Sequence, residues 1–577
     1  STILGDGRSS RLYRRVREES GLAFAVSAFS YTPGDPGLFG IDATAEPAKR
    51  EAVQDLVLQI VDEIKQAGAT VEEVIKAKKI SLSHHLGALT TMRGQASDIG
   101  SSWFLTRNLN FSRDYLEAVQ KVTLEDIRRV TQKYLNDDNL TIVSLNPKGS
   151  LAARAEMAKP ITAGEIQKFE LANGLRLLVR EDARLPLVSM TAVFRGGLLA
   201  ETPATNGVTR LMSKVLLKGT KTRTGEEIAD AIETVGGSIG SDAGNNSFSV
   251  SLDVTKPDLK LGAELLADVL LNATMPETVI AREKEVQLAS IKEDEEHLTT
   301  VARNILREAL FLQHPYALRG KGAVDSVKKL TQKDLIAFRD RYLVAKNGVI
   351  SVFGNVKAAE VKQIFEDSLG IMTPGEMALT EASAPGALSQ SVTVKEEKDK
   401  SQSVLMVGYR GTDLFSPDRY ALELIDEASS DLGSRFFVRI REQMGLAYYV
   451  GSTQMQGLVP GLFAFYLGTD PQKLVPVQTA LLDEIGKLAS EGLTSQELLR
   501  AKKKLIGQQQ IANQSNDHFG YAAALDELYG LGFDYYKSLE REVEAVTVKD
   551  VKRVAAKYFL DQPYVLAVVQ PLEQPRK

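Results

Sequence analysis

The sequence predicts an α+β fold made of tandem homologous modules, each a two-layer unit in which an antiparallel-rich sheet packs against helices. Three observations support this prediction. Long segments of the chain recur at a fixed spacing, and each copy mixes strand-like with helical apolar patterns. The 577 residues also have an ordinary globular composition, with 43% hydrophobic and 25% charged residues.

The repeat is clearest between the two ends of the chain. Residues 11–24 match residues 435–448 at an offset of 424, and later pairs of segments keep this offset. These later pairs are 36–39 and 460–463, 77–79 and 501–503, and 123–134 and 547–558. A third copy of the last segment begins at Thr331, 208 residues after Thr123 and 216 before Thr547. Such intervals are too long for a solenoid repeat and are typical of duplicated domains.

The spacing divides the chain into three modules. The last module opens near Ser389 with two strand-like runs, whereas Ser1 falls at the position that matches Ile425. The first module is therefore expected to lack roughly its first 36 residues and to leave a sheet edge unpaired, as in a fragment of a longer protein. The predicted boundaries are 1–148 for the truncated first module, 149–164 for a linker, 165–385 for the second module and 386–577 for the third.

The elements of the first module follow from its apolar patterns. Apolar residues recur at helical spacing over 51–66, and further helices are predicted at 71–81 and 124–134. Thr123 precedes the last of these helices as an N-cap. The apolar run at 140–145 is predicted to be the strand that closes the module.

The second and third modules open with strands. The run 167–179 is interrupted by Asn173 and Gly174, which is a hairpin signal. Further predicted strands are 188–194, 247–254 and 349–354, and predicted helices are 207–218, 226–235 and 259–271. The third module begins with strands at 391–394 and 403–408.

Composition excludes several classes of partner and site. The net charge of −5 is spread along the chain, so no nucleic-acid or anionic-membrane surface is predicted. No apolar stretch approaches the ~20 residues that a transmembrane helix needs. The chain has no cysteine, which excludes disulfides, thiolate metal sites and a cysteine nucleophile.

Several motifs together resemble the pitrilysin/insulinase family of zinc peptidases, which includes the mitochondrial processing peptidases. In the second module the matching segments are 169–176, 194–197, 207–220, 314–316 and 331–342. In the outer modules they are 10–23 and 434–447. The resemblance covers essentially the whole chain. It implies a processing-peptidase-like fold, with part of the catalytic half in the first module and the non-catalytic half in the second and third.

The metal site that the resemblance implies is absent from this chain. In the family a helix carries His-x-x-Glu-His, and a further glutamate follows about 76 residues later. The matching helix positions here are Arg210, Ser213 and Lys214, and the distal position falls at Ala289 or Ser290. None of these side chains is a zinc ligand, because zinc sites in proteins use Cys, His, Asp or Glu. No metal or cofactor is expected in this chain, and zinc is expected in the full assembly.

No other motif replaces this site. A solvated or core-edge role is favoured for His84 and His85, and a turn role for His314. Glu293, Glu296 and His297 resemble an acidic metal cluster, but a charged helix face is the preferred interpretation. The remaining glycine-rich segment, 236–244, lacks the lysine of a phosphate loop, so it is interpreted as an edge strand or a loop that another backbone can approach.

One functional pair remains in the third module. The resemblance implies that the non-catalytic half supplies an arginine and a tyrosine, spaced Arg-x6-Tyr, to substrate at the zinc. Arg441 and Tyr448 have this spacing, whereas the first module has Arg17 and Phe24. A phenol can donate a hydrogen bond to an oxyanion and a phenyl ring cannot, while a guanidinium adds a fixed charge and a rigid donor fork. The alternative is that the arginine forms a local ion pair and the tyrosine packs in a strand.

These features lead to one preferred hypothesis and two alternatives. The chain is interpreted as the non-catalytic portion of a two-half, clam-shaped zinc metallopeptidase that encloses unfolded peptides. It is expected to be inactive alone, with zinc on a missing upstream module. The alternatives are a catalytically dead scaffold subunit and a peptide-binding chamber. The pair Arg441 and Tyr448 distinguishes the preferred hypothesis from the scaffold alternative, because a scaffold subunit has no need of these two side chains.

Two kinds of partner are expected for this chain. They are an upstream zinc-bearing module or subunit and peptide substrates, and either a homo- or a heterodimer is compatible with the sequence. A bacterial protein is expected, and a periplasmic or other extracytoplasmic location is slightly favoured.

Overall fold

The computed structural model describes residues 1–6, 10–32, 37–88, 92–146, 163–380 and 382–572, except the side chains of 83–88 and 92–93. The chain forms two compact units. The first comprises Ser1–Pro160 with Asp431–Tyr448, and the second comprises Ile161–Ser430 with Tyr449–Lys577. Nearly all of the predicted linker at 149–164 lies outside the described residues, so the module boundaries stay a prediction. Among the described residues, no helix is both long and apolar enough to cross a membrane.

The first unit combines a small sheet with helices. Its helices and strands are α1 Thr2–Gly5, β1 Ala23–Tyr31, β2 Leu38–Ala45, α2 Arg50–Ala67, α3 Val71–Ala88, α4 Met92–Thr106, α5 Phe111–Lys121 and α6 Leu124–Tyr134. The two strands pair antiparallel. Two π-helical turns, Tyr13–Glu19 and Phe437–Gln443, also belong to this unit.

The predicted helices of this unit are confirmed, and their causes are local. α2 buries Val53, Ile60 and Ile64, which lie on one face of the helix, against the β1 side of the core. α6 begins as predicted after Thr123, whose hydroxyl accepts from the amide of Asp126 at 3.1 Å in a capping box. α3 is longer than predicted.

The second unit contains two sheets. The elements around the first sheet are β3 Ile166–Glu170, β4 Arg176–Glu181, β5 Leu187–Arg195, α7 Val208–Leu216, α8 Gly225–Thr234, β6 Ser238–Ala243, β7 Ser247–Thr255, α9 Leu259–Asn272, α10 Glu277–Asp294, α11 Leu298–Phe311, α12 Val324–Lys329, α13 Gln332–Tyr342, β8 Gly348–Gly354 and α14 Ala358–Leu369. The strand order is β3-β4-β8-β5-β7-β6, with only the β4–β8 pair parallel.

Sequence signals account for this first sheet. The predicted hairpin is confirmed, since β3 and β4 flank Asn173 and Gly174, and the glycine has φ 86°. The glycine-rich segment forms the edge strand β6, as predicted. One face of the sheet packs against α7, α9, α13 and α14 around a large apolar core.

The second sheet closes the chain. Its elements are β9 Val392–Lys398, β10 Ser403–Arg410, α15 Arg419–Ser429, β11 Tyr449–Met455, β12 Leu462–Thr469, α16 Leu474–Glu491, α17 Ser495–Ala512, α18 Asn516–Tyr529, α19 Tyr536–Ala545, α20 Val548–Phe559 and β13 Val565–Pro571. The strand order is β11-β12-β10-β13-β9. Only the β13–β9 pair is parallel.

Two helices of the second unit each cover the sheet of the other module. α18 packs on β5 and β8 of the first sheet, where Phe519 and Leu528 are buried. In return, α11 packs on β10 and β13 of the second sheet, where Leu306 and Leu310 are buried. The two sheets are thus joined by a reciprocal exchange of helices.

The predicted strand at 140–145 is wrong, because these residues form no strand. Val143 is 86% exposed and Leu145 is 100% exposed. The counterpart β13 hydrogen-bonds to β10 on one side and β9 on the other. Among the described residues, the sheet of the first unit holds only β1 and β2. An apolar run becomes a strand only where neighbouring strands accept its backbone hydrogen bonds.

Candidate functional site

The helix that resembles the family's metal helix is α7, and a buried acid fixes its start. Gly207 precedes it with φ 98°, a left-handed conformation that favours glycine. The Glu201 carboxylate accepts from the amides of Gly207 at 2.7 Å and Thr209 at 3.0 Å. Burial raises the pKa of Glu201, and these hydrogen bonds oppose the rise. Glu201 was not predicted from the sequence, although an acid just before a helix is a residue that can satisfy the free amides there.

The three positions that would carry the helix ligands make protein contacts instead. The Arg210 guanidinium lies 3.9 Å from the Asp242 carboxylate, and the Lys214 ammonium donates to the Ser241 carbonyl at 2.8 Å. Both contacts tie α7 to the edge strand β6. Ser213 is fully buried and donates to the carbonyl of Arg210 at 2.9 Å. Burial, and then the nearby Arg210 charge, lower the pKa of Lys214.

The distal position is equally unsuited to a metal. The Ser290 hydroxyl accepts from the Lys321 ammonium at 2.8 Å, and the same ammonium donates to Asp294 at 2.8 Å. A cation therefore stands beside the position where the resemblance implies an acidic ligand. Across the described part of the chain, no group of three or more His, Cys, Asp or Glu side chains could hold a metal ion. This region of the second module is built for packing between α7, α10 and β6.

His297 and His314 take structural positions. His314 Nδ1 accepts from the amide of Tyr316 at 3.1 Å, so the predicted turn role is confirmed. Glu296 pairs with Lys400 at 2.5 Å, and His297 precedes α11 as its N-cap residue. The side chains of His84 and His85 lie outside the described residues.

Arg441 lies on the second π-helical turn, Phe437–Gln443. The amide of Met444 donates to the carbonyl of Arg439, five residues earlier, at 3.0 Å, which is the π-helical spacing. The Arg441 guanidinium stacks 4.7 Å from the centroid of the Phe437 ring. Burial lowers the pKa of Arg441, and the charge of Glu442 opposes this. Ring stacking thus restricts the guanidinium to one side of the turn.

Tyr448 follows this turn by a short bend. Gly445 has φ 62°, and it ends the turn in the left-handed region. Tyr448 comes directly before β11 and keeps 36% of its surface exposed. The predicted pair therefore lies on a single turn-and-bend segment of the first unit, in which Lys76 Nζ of α3 lies 3.3 Å from Glu442 Oε1.

The first module repeats this local geometry without the phenol. Arg17 lies 4.7 Å from the centroid of the Tyr13 ring, on a π-helical turn at the matching positions. Gly21 has φ 60° and matches Gly445. At the position of Tyr448 stands Phe24. The duplicated turn keeps the stacked arginine in both copies, and the chemical difference lies in the aromatic residue.

Two further arginines, one just before the first turn and one on it, make ion pairs with the helices. Arg11 makes a two-bond contact with Glu73, with Nε and Nη2 each 2.7 Å from a carboxylate oxygen. Arg15 pairs with Glu63. These ion pairs join the segment around the first turn to α3 and α2. The arginine and glutamate charges offset one another in the hollow that these side chains line.

An acidic group on α15 was not predicted from the sequence. Glu423, Asp426 and Glu427 follow one another at i, i+3 and i+4, a spacing that signals a single helix face. Asp426 accepts from the Ser452 hydroxyl at 2.6 Å, and Glu427 pairs with Lys504 at 2.5 Å. Burial raises the pKa of Asp426 to about 6. These acids already have protein partners, so the group is part of the third module's interior.

Known proteins match the chain along most of its length. The family described as "Peptidase M16 inactive domain" matches residues 1–81 and 329–505, and "Insulinase (Peptidase family M16)" matches residues 176–319. A relative named uncharacterized zinc protease YmxG, from Bacillus subtilis, is 24% identical over 410 residues, which cover 70% of this chain and 98% of the relative.

Solved structures share the fold. The peptidase M16 inactive domain from Pseudomonas fluorescens has a TM-score of 0.67 at 24% identity, covering 71% of this chain and 100% of that one. A chain of Complex III2 from Candida albicans has a TM-score of 0.61 at 17% identity, covering 71% of this chain and 97% of that one. The family matches agree with the motifs in all three modules. This chain belongs to the M16 family of peptidases, the pitrilysin/insulinase type.

Proposed function

We propose that this chain is the non-catalytic portion of a two-half, clam-shaped zinc metallopeptidase that encloses unfolded peptides and helps to cleave them. The zinc site is carried by a further module, which this sequence does not encode. The observation that carries the proposal is the asymmetry of the duplicated turns. Both copies keep a stacked arginine, but only the copy in residues 435–448 ends in a tyrosine, and that tyrosine is 36% exposed.

The chemistry of the pair suits peptide hydrolysis. Attack on a peptide carbonyl develops an oxyanion, which a preorganised donor stabilises. Tyr448 supplies a phenolic donor, and Arg441 supplies a guanidinium already oriented by stacking on the Phe437 ring. Zinc on the partner module would polarise the reacting carbonyl, and Arg441 and Tyr448 would bind the substrate beside it.

The position of the segment also supports the proposal. Residues 431–448 belong to the same compact unit as the first module, which the resemblance assigns to the catalytic half. Lys76 of α3 and Glu442 of the π-helical turn form an ion pair at 3.3 Å within this unit. The Arg-Tyr segment therefore lies beside the module that would neighbour the zinc.

Substitution of Tyr448 tests the proposal. The chain is combined with a zinc-bearing M16 module, and hydrolysis of a flexible fluorogenic peptide is measured. Tyr448→Phe should lower kcat by roughly 10²–10³, the usual effect of losing one oxyanion donor, with unchanged zinc content. Arg441→Lys should also lower kcat/KM, because an ammonium cannot reproduce the guanidinium fork.

Phe24→Tyr is the matched control, since it adds the same phenol to the other copy of the turn. It should neither rescue Tyr448→Phe nor change the rate of the unsubstituted assembly. If Tyr448→Phe and Arg441→Lys both stay within a factor of about two in kcat/KM, under roughly 0.5 kcal/mol, the pair is structural and the proposal fails.

A scaffold or peptide-binding chamber is the second candidate. It is favoured by the packing of Arg210, Lys214 and Ser290, whose side chains contact other protein groups. A chain of Complex III2 from Candida albicans shares the fold of this chain. Under either function, metal analysis of the dialysed chain should find no stoichiometric zinc. The two functions differ in the expected kinetics, because Tyr448→Phe should leave kcat unchanged if the chain is only a scaffold.

A further inference from the structure

The strand that follows Tyr448 begins with a second tyrosine. Tyr449 is the first residue of β11, and the ladder between β11 and β12 begins with the pair Tyr449 and Gly468. One planar peptide bond joins Tyr448 to Tyr449, so the backbone at Tyr449 sets the point from which the preceding side chain extends. The contacts of Tyr449 therefore bear on the placement of the Tyr448 phenol.

The ring of Tyr449 lies against a glycine of the neighbouring strand. A Cβ at Gly468 would meet the Cε1 and Cζ atoms of this ring at 2.4 Å. Any larger residue at position 468 would therefore displace the ring. Gly468 does not have a positive φ, so its backbone conformation does not require glycine. The close approach of the Tyr449 ring is the feature that requires it.

The next pair of the same ladder repeats this arrangement in the opposite sense. Gly451 of β11 faces Tyr466 of β12, and a Cβ at Gly451 would lie 3.2 Å from the Tyr466 hydroxyl. The centroids of the Tyr449 and Tyr466 rings are 6.3 Å apart. Each strand thus contributes one tyrosine and one glycine, and aromatic rings that cover cross-strand glycines stabilise the pairing of a sheet.

The hydroxyl of Tyr449 is held by a different element. It forms a hydrogen bond of 3.1 Å with the Thr299 hydroxyl, near the start of α11. Burial raises the pKa of Tyr449, so its phenol stays protonated at neutral pH. The side chain is therefore fixed by the glycine that its ring covers and by the threonine that its hydroxyl reaches.

The first module lacks both the tyrosine and the glycine. At the matching positions it has Ala25 and Thr44, which pair in the same register. The strand β1 also continues past a bulge to Ala23, so Phe24 lies inside the strand. Of these two copies, only the one with Tyr448 has the tyrosine–glycine pair at the first position of its ladder.

We propose that Tyr449 is a positioning residue, which together with Gly468 and Thr299 fixes the backbone from which the Tyr448 phenol reaches substrate. This role rests on the proposed function, because it needs Tyr448 to act on the substrate. Tyr449 itself contacts a glycine and a threonine within the second unit. Its effect on the reaction therefore passes through Tyr448, whose small displacements change the rate.

The hydrogen bond between Tyr449 and Thr299 allows a test with small substitutions. The chain is combined with a zinc-bearing M16 module, and hydrolysis of a flexible fluorogenic peptide is measured. Tyr449→Phe and Thr299→Val should each lower kcat by about threefold to tenfold, the range for one neutral hydrogen bond, with KM nearly unchanged. The double substitution should lower kcat no further than either substitution alone, because both remove the same bond.

Two further variants check the parts of this arrangement. Thr299→Ser is the conservative variant, which keeps the hydroxyl and should recover most of the kcat that Thr299→Val loses. Gly468→Ala should lower kcat at least as much as Tyr449→Phe, since the added Cβ displaces the ring. Circular dichroism establishes that each variant is folded, and the mild Tyr449→Phe and Thr299→Val carry the test if Gly468→Ala is not.

The Tyr448→Phe background separates this role from the proposed function. There, Tyr449→Phe should have no further effect on kcat. An equal loss from Tyr449→Phe with and without the Tyr448 phenol would overturn the positioning role, because the loss would not pass through Tyr448. Full activity of Tyr449→Phe and Thr299→Val, beside the expected loss in Tyr448→Phe, would overturn this role and leave the proposed function standing. If Tyr448→Phe itself leaves kcat unchanged, the proposed function fails and the positioning role fails with it.

Discussion

Arg17 and Arg441 each lie 4.7 Å from the centroid of an aromatic ring four residues earlier, although the rings differ, Tyr13 in one copy and Phe437 in the other. Stacking needs only the π face, so either ring restricts the guanidinium in the same way. The residue after the bend is different, because a phenol and a phenyl ring have different hydrogen-bonding chemistry. Both copies of the turn therefore keep an aromatic ring that orients the arginine, whereas only the copy with Tyr448 has a hydrogen-bond donor after the bend.

Asp426 gives the chain a stability that depends on pH. Burial raises the pKa of its carboxyl from the ordinary 3.8 to about 6, so the folded protein holds this proton more tightly than the unfolded chain. The contribution is therefore favourable near pH 4 and is lost as the pH rises to about 6. Asp426→Asn keeps an acceptor for Ser452 and removes the buried charge. At pH 7 it should stabilise the protein by up to about 3 kcal/mol.

Calorimetric Tm values at pH 4, 5, 6 and 7 check this prediction. The difference between Asp426→Asn and the unsubstituted chain should be small at pH 4 and should grow to its full size by pH 7. Asp483→Asn is the control, because Asp483 is about half exposed on α16 beside Lys487. A difference that is constant across this pH range would contradict a raised pKa for Asp426.

The π-helical turns show how elements are kept through duplication. Two residues beyond the end of each turn stands a glycine with a left-handed backbone, Gly21 at φ 60° and Gly445 at φ 62°. An ideal Cβ at either position would meet no atom within 4 Å. The glycines are therefore required by backbone conformation rather than by space, and they set the direction in which the chain leaves the turn toward Phe24 or Tyr448.

Gly21→Ala should destabilise the first unit by about 1 kcal/mol, the cost of a left-handed residue with a Cβ. Gly100→Ala is the matched control, because Gly100 lies inside α4 and its Cβ also meets no atom within 4 Å. That substitution should stabilise by up to about 1 kcal/mol. The one tryptophan of the chain, Trp103, lies in this unit, so urea unfolding followed by its fluorescence measures both effects. Equal effects of the two substitutions would refute the backbone explanation.

At the scale of the whole molecule, the related modules differ in how completely their sheets are paired. β12 has β11 on one side and β10 on the other, and seven of its eight residues are buried. The matching strand β2 pairs with β1, and its residues are half-buried or exposed. Backbone amides on an open edge exchange with water far more readily than those inside a sheet.

Hydrogen exchange should therefore distinguish the two copies. Amides of β2 and of residues 140–146 should exchange about tenfold or more faster than those of β12 and β13 in the isolated chain. Equal protection of the two groups in a demonstrated monomer would contradict the open edge.

Features with local causes could be predicted from the residues alone. Helical stripes predicted α2, Thr123 as an N-cap predicted the start of α6, and Asn173 with Gly174 predicted the hairpin between β3 and β4. The replacement of metal ligands by Arg210, Ser213 and Lys214 was also visible, because ligand chemistry depends on residue type alone.

Features that depend on distant partners could not be predicted from the residues and became visible in the fold. Residues 140–145 have the pattern of a strand but form none. Among the described residues, the sheet of the first unit holds only β1 and β2, and no strand lies between β2 and this apolar run. The anchoring of Lys214 to Ser241, the stacking of Arg441 on Phe437 and the burial of Asp426 require elements that meet only in the fold. Periodicity specifies which face of an element is apolar, whereas the sheet or helix that covers this face is fixed by contacts far apart in the chain.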